Sequence, residues 1–143
     1  MQSSYQYQDK PVINRILSTC KTIAVVGLSS QPDKAGYYVP QYLQSQGYQI
    51  IPVNPTLEQA LGEKSYADLL AVPQPVDLVL IFRRSESVPP FIDQAIQIGA
   101  KAVWTQLGIV NFEAAQKAED AGLDVVMDAC MMVEHRRRKS AAG

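Results

Sequence analysis

The residues best suited to ligand chemistry sit in short polar loops, each directly after an apolar run. The first is Gly27-Leu28-Ser29-Ser30, which follows the β-branched run TIAVV. A tight glycine turn exposes backbone N–H groups, and the helix behind it adds the positive end of its dipole, so the pair favours an anion. Ser29 and Ser30 add hydroxyl donors, and Lys34 stands near the start of that helix as a point charge for a phosphate. A lysine dissolved in solvent is an equally weighted reading of Lys34. Four more loops follow the same pattern: Val53-Asn54-Pro55, Phe82-Arg83-Arg84, Thr105-Gln106-Leu107-Gly108 and Asp128-Ala129-Cys130. Arg83 is assigned to the ligand side, and Arg84 to solvent or to a pair with Glu86.

A dinucleotide of the NAD type would call for the spacing G-x-G-x-x-G, yet Ser29 and Pro32 stand where two of those glycines belong. The acid that would hold an unmodified ribose at the end of the second strand is also missing, since that stretch reads Pro52-Val53-Asn54-Pro55. A phosphorylated ribose suits a site with nearby cations and no carboxylate. Coenzyme A carries one, as does NADP. An NAD(P)-binding oxidoreductase-like domain and a nucleotide-sensing domain remain the alternatives.

Little points to catalysis. The single histidine, His135, lies beside Arg136, Arg137 and Arg138 with no triad order around it, and reads as a surface residue on a last helical turn. Asp128 alone is weak evidence for a general base. Cys130 follows the last strand and is able to face a cofactor thiol, although a small buried residue is the stronger reading. Cys20 and Cys130 are too far apart for a metal-ligand spacing and too few for a disulfide framework, so no metal is expected and free thiols in the cytoplasm are. A net charge of −1 argues against a nucleic-acid partner, and the basic run His135–Lys139 reads as solvated charge. No apolar run approaches the ~18–20 residues that cross a bilayer, and no leader pattern opens the chain.

These loops need a scaffold that brings them to one edge. Strands are expected at 22–26, 49–53, 77–82, 102–105 and 123–127, alternating with helices at 35–46, 88–98 and 112–121. Ser87 and Asn111 are the expected caps of the last two helices. A further helix is expected at 11–18, a short one at 66–70 before Pro73 and Pro75, and a frayed tail from Lys139 to Gly143. Regular alternation of this kind implies a parallel sheet with right-handed crossovers, an α/β Rossmann-like three-layer sandwich of about five strands. Ligands of such sheets bind at the carboxyl ends of the strands. At 143 residues one domain is expected, its core at 16–135 with flexible ends. Trp104 belongs to the buried sheet.

Five blocks in order carry a family resemblance: AVVGLSSQPDK followed by Tyr37, IIPVNP near Gly62, VDLVLIFRRSESVP, GAKAVWTQLGIVNFEAA and AGLDVVMDACMMVEH. The chain resembles the small stand-alone CoA-binding proteins, whose domain is similar to the nucleotide-binding domain of the succinyl-CoA synthetase α subunit. The resemblance runs from about Ile16 to His135. It implies that the chain binds coenzyme A or an acyl-CoA. Gly27, Ser29, Ser30 and Lys34 would hold the phosphates, with Tyr37 following in the first block. It further implies that Val53, Asn54 and Pro55 flank the adenine, Phe82 and Arg83 border the nucleotide, and Gln106 and Gly108 lie further along the cofactor. Two positions depart from the pattern: Ala35-Gly36 lacks the serine often found before the aromatic, and Ala129 replaces a common basic residue. The synthetase also needs a phosphorylated histidine and a second domain, neither of which is recognisable here, so the implied role is binding without catalysis.

Overall fold

The computed structural model describes residues 3–142. Five parallel strands form the sheet: β1 (Thr22–Val26), β2 (Gln49–Val53), β5 (Leu78–Ile81), β6 (Ala102–Thr105) and β7 (Asp124–Val126). Their spatial order is β2-β1-β5-β6-β7. The chain thus builds outward from β1 in one direction, returns, and builds outward in the other. The turning point falls between β1 and β5, where Ile23 to Val26 register with Leu78 to Ile81. The loops leaving two neighbouring strands there diverge to opposite faces and open a crevice, the usual ligand position in such sheets.

Period-two alternation divides the strand residues between two cores. Ala24, Val26, Ile51, Val79, Ile81 and Val103 pack on one face, under helices α3 (Pro89–Gln97) and α4 (Phe112–Asp120). Ile23, Val25, Ile50, Leu78, Leu80 and Trp104 pack on the other. That second face is covered by α1 (Lys10–Thr19), α2 (Ala35–Ser45) and α5 (Met131–Ala142). The fold is a Rossmann-like α/β sandwich. Trp104 is fully buried, and its indole N–H donates to the Ala129 carbonyl at 2.8 Å, which satisfies its polar edge.

Three expectations change. The segment after β2 forms a small antiparallel hairpin, β3 (Gln59–Ala60) with β4 (Glu63–Lys64), turned at Leu61-Gly62, both with positive φ. The helix expected at 66–70 is absent: Tyr66 bridges to Val53, and only a 3-10 turn at Leu69–Ala71 remains, capped by Asp68. Ser87 does not cap α3, because Ser85–Ser87 forms its own 3-10 turn and Val88, in helical geometry, leads straight into Pro89. Asn111 caps α4 as expected, its side chain accepting from the Ala114 N–H at 3.0 Å. The tail expected to fray from Lys139 is helical through Ala142, in a stretch free of glycine and proline, while Gly143 lies outside the described residues.

Candidate functional site

At the switch between β1 and β5 the backbone comes close enough to exclude a side chain. Gly27 has φ +80°, and a Cβ there would stand 2.9 Å from the Phe82 carbonyl oxygen and 3.0 Å from Arg83 Cδ. Only glycine tolerates both the conformation and the contact. Gly27, Phe82 and Arg83 are therefore brought together. Phe82 is half-buried and Arg83 exposed.

The loop after Gly27 folds back on the start of α2. The Ser29 N–H donates to the Gly36 carbonyl at 3.0 Å, and a Cβ on Gly36 would lie 3.3 Å from the Gly27 oxygen. The glycine that breaks the family's serine pattern thus has a packing role. Ser29 Oγ accepts from the Gln31 N–H at 3.0 Å, which leaves its hydroxyl proton free to donate outward. The amides of Ser30, Ala35 and Gly36 have no hydrogen-bond partner among the described residues. Lys34 occupies the N-cap position of α2 without capping it, and its side chain is exposed. Donors and one cation therefore cluster at this helix start, a suitable arrangement for a phosphate. Tyr37 is half-buried in the first turn of α2.

The β2 end is tied to the same loop. Asn54 Nδ2 donates to the Leu28 carbonyl at 2.9 Å, and Asn54 Oδ1 accepts from both the backbone and the hydroxyl of Thr56. Val53 is buried and Pro55 exposed at this rim. Asn54 is thus a brace, with its side chain committed to protein partners.

On the other side of the switch the β6 loop supplies Gln106. Its backbone N–H donates to the Ile81 carbonyl at 3.1 Å, which fixes it beside the end of β5. The residue is 7% exposed, and its Oε1 is the buried side-chain acceptor left without a partner among the described residues. A buried, unanswered acceptor costs about 1–3 kcal/mol. Gly108 lies further out, φ +87°, and donates its N–H to Asp128 Oδ1 at 2.6 Å.

Asp128 holds this corner together, a role its place at a strand end did not reveal. It sits at φ +57°, a conformation that Asp enters more readily than most residues. Its N–H donates to Thr105 Oγ1 at 3.2 Å, and its carbonyl accepts from Gln8 Nε2 at 2.6 Å. The Met127 N–H donates to the Tyr7 carbonyl, so the N-terminal segment straps the end of β7. No feature of Gln8 in the sequence signals that role. With its carboxylate committed to the Gly108 N–H, Asp128 serves as a brace.

His135 is a correction. It is half-buried rather than a surface residue, in the second turn of α5, with Nδ1 2.8 Å from the Tyr42 hydroxyl. Cys130 is half-buried rather than buried, and it packs against the α1/α2/α5 core. Arg84 is exposed and pairs with Glu86 at 3.4 Å. Among the described residues no cluster of His, Cys, Asp or Glu could hold a metal, and no helix is long and apolar enough to cross a membrane.

A five-stranded parallel sheet with helices on both faces and a glycine turn at its switch point places the chain in the Rossmann-like α/β class. Residues 21–136 match the model of the CoA binding domain, and the chain belongs to that family. It is 43% identical over 130 residues to the uncharacterized protein YneT of Bacillus subtilis, covering 91% of this chain and 96% of that one. An ADP-forming acetate–CoA ligase of Methanocaldococcus jannaschii is 27% identical over 112 residues, which are 74% of this chain but only 16% of the ligase. Among solved structures, a hypothetical protein from Pyrococcus horikoshii superposes with a TM-score of 0.87 at 40% identity, covering 90% of this chain and 91% of that one.

Proposed function

We propose that this chain binds coenzyme A, free or acylated, across the β1/β5 switch point, and that it does so as a binding module without chemistry of its own. The observation that carries the reading is Gln106 Oε1: a buried acceptor without a partner, held by backbone bonds at the carboxyl edge of the sheet. Once the side chain turns toward the crevice, an amide N–H of the pantetheine arm of coenzyme A would answer it. Membership of the CoA binding domain family makes that cofactor the first choice among nucleotides.

In this reading the free amides of Ser30, Ala35 and Gly36, with the Ser29 and Ser30 hydroxyls, face the diphosphate. Lys34 and Arg83 neutralise charge, Lys34 at the ribose phosphate. Val53 and Pro55 border the adenine, Tyr37 and Phe82 border the nucleotide, and Asn54 holds the rim in place. Gly108, braced by Asp128, shapes the exit along which the arm leaves. The match covers only 16% of the acetate–CoA ligase, so transfer of an acyl or phosphoryl group would fall to another domain or protein. With both cysteines free, a cytoplasmic setting belongs to the same proposal.

Calorimetric titration with coenzyme A, NADH and NADPH tests it. Coenzyme A is expected to bind tightest, and preference for either nicotinamide cofactor would move the protein to the oxidoreductase alternative. Lys34→Ala is expected to weaken coenzyme A about tenfold, the loss of one charge-assisted contact, and dephospho-coenzyme A much less. Equal losses would remove Lys34 from the ribose phosphate.

A further inference from the structure

The opposite edge of the sheet carries a second group of unanswered charges. All five strands run parallel, so the residues just before them share the amino edge. There Lys21 leads into β1 and Tyr48 into β2, and α5 descends over both from the second face. A cavity of about 340 Å³ opens between them, lined in part by Lys21, Gln46, Tyr48, His135 and Arg138.

The charges in this cavity are of one sign. No carboxylate lines it. The carboxylates nearby are already engaged: Asp77 with Lys101 and with the Lys21 and Thr22 N–H groups, and Glu134, one turn before Arg138, with Arg137. Neither Lys21 nor Arg138 forms an ion pair among the described residues. The carboxyl ends of α1 and α2 lie at this cavity, at Leu17-Ser18 and Gln46-Gly47, and their negative dipole ends together offset about one of the two fixed positive charges. A positive remainder persists, to which Lys139 adds from the same helix.

His135 is held in this wall rather than free in solvent. Tyr42 fixes its Nδ1 at 2.8 Å, and the rings of Tyr42 and Tyr48 meet it edge-on at 5.4 and 5.8 Å. That leaves Nε2 without a protein partner. Burial first, and then Lys139 and Arg138, hold its pKa below the ordinary value. The groups facing it are thus Tyr42 from α2, Tyr48 and Lys21 from the turns before the strands, and Arg138 and Lys139 from α5. None of them is an acid.

We propose that this cavity is an anion site, separate from the carboxyl-edge crevice, that takes a small phosphate-class oxyanion between Lys21, Arg138 and the free nitrogen of His135. Compact shape and multiple charge select a phosphate group, free or as the ester of a small molecule. Binding an anion supplies the missing opposite charge and makes protonation of His135 easier, so the site is stronger at pH 6 than at pH 8.

The chain has one histidine, so every imidazole C–H resonance reports this site. His135 is titrated by proton NMR with inorganic phosphate and, separately, with glycerol 3-phosphate, at ionic strength matched with chloride. A saturable shift and a rise of about one unit in the His135 pKa are expected, equivalent to about tenfold tighter binding to the protonated form. Tighter binding of one probe tells free phosphate from the ester as the natural source. Lys21→Gln and Arg138→Gln, both at exposed positions, should each reduce the shift and leave the coenzyme A titration unchanged. A response equal to that of chloride overturns the proposal, and so does a shift that survives both substitutions or is abolished by coenzyme A. The wild-type titration decides even if a variant does not fold.

Discussion

The two edges of this one sheet are finished in different ways. At the amino edge the acids have partners. Asp77 Oδ2 accepts from the Lys21 and Thr22 N–H groups at 2.8 and 3.1 Å, and its other oxygen pairs with Lys101. Asp124 receives a two-pronged contact from Arg15 at 2.7 and 2.8 Å. At the carboxyl edge the loops are also cross-braced, by Asn54 to Leu28 and Asp128 to Gly108, but the bracing stops short of Gln106 Oε1 and of the amides of Ser30, Ala35 and Gly36. Polar groups that satisfy one another contribute to stability, whereas groups held in place without partners are arranged for something that arrives later. The cationic cavity beneath α5 is the exception at the amino edge, and the proposed anion site there follows from the same contrast.

The largest effect that would sharpen the comparison is expected at Gly27. Gly27→Ala places a methyl group 2.9 Å from the Phe82 oxygen in a left-handed conformation. Backbone strain of about 1–2 kcal/mol and overpacking of about 1–3 kcal/mol add up to a loss of roughly 2–5 kcal/mol. Denaturant unfolding measures it. A variant as stable as the parent would show that the switch point has room the geometry denies, and that the glycine is not needed for close approach.

The general position of this edge was legible in the sequence, and its detail was not. Five β-branched runs, each ended by a polar loop, fix a parallel sheet because strands buried on both faces read as continuous apolar stretches. That logic places Gly27, Asn54, Arg83 and Gln106 at one edge before any coordinates are known. It fails at 66–70, where Tyr66 to Leu70 matches a helical turn locally but the Val53–Tyr66 bridge and the Leu61-Gly62 turn give the segment another use. It also misses the braces. Gln8 meets Asp128 across 120 residues of sequence, and His135 meets Tyr42 across 93, distances at which one-dimensional patterns carry no information. Asp128 was visible as a carboxylate at a strand end, but its committed partner, the Gly108 N–H, belongs to another loop.

A middle-sized effect is expected at Asp77. Burial alone would raise its pKa, but the Lys21 and Thr22 N–H groups and Lys101 outweigh that and hold it below the ordinary carboxylate value. A depressed folded pKa means that the folded protein binds the proton less readily than the unfolded chain. The stabilisation is therefore complete above the unfolded pKa, near pH 4, and is lost as pH falls through the lower folded value. Asp77→Ala should cost about 1.5–3 kcal/mol at neutral pH, the range for hydrogen bonds to a charged group, and should flatten stability against pH below 4. An unchanged acid limb in urea titrations of the variant would show that the amino edge is not fastened there.

The smallest effect should have the opposite sign. Gln106→Leu replaces an unpartnered buried amide oxygen with carbon of similar volume, so the free protein should lose nothing and should gain up to about 1 kcal/mol, because the desolvation cost of an unsatisfied acceptor disappears. The same change should weaken coenzyme A, because the acceptor intended for the cofactor is gone. Urea unfolding and calorimetry on one variant give the two numbers together. Stability that rises while affinity falls is the signature of a group kept at a cost to the fold for the sake of a ligand. Stability that falls by more than about 1 kcal/mol would instead make Gln106 a structural residue. The difference between the two edges would then rest on the glycine turn and the free amides of α2 alone.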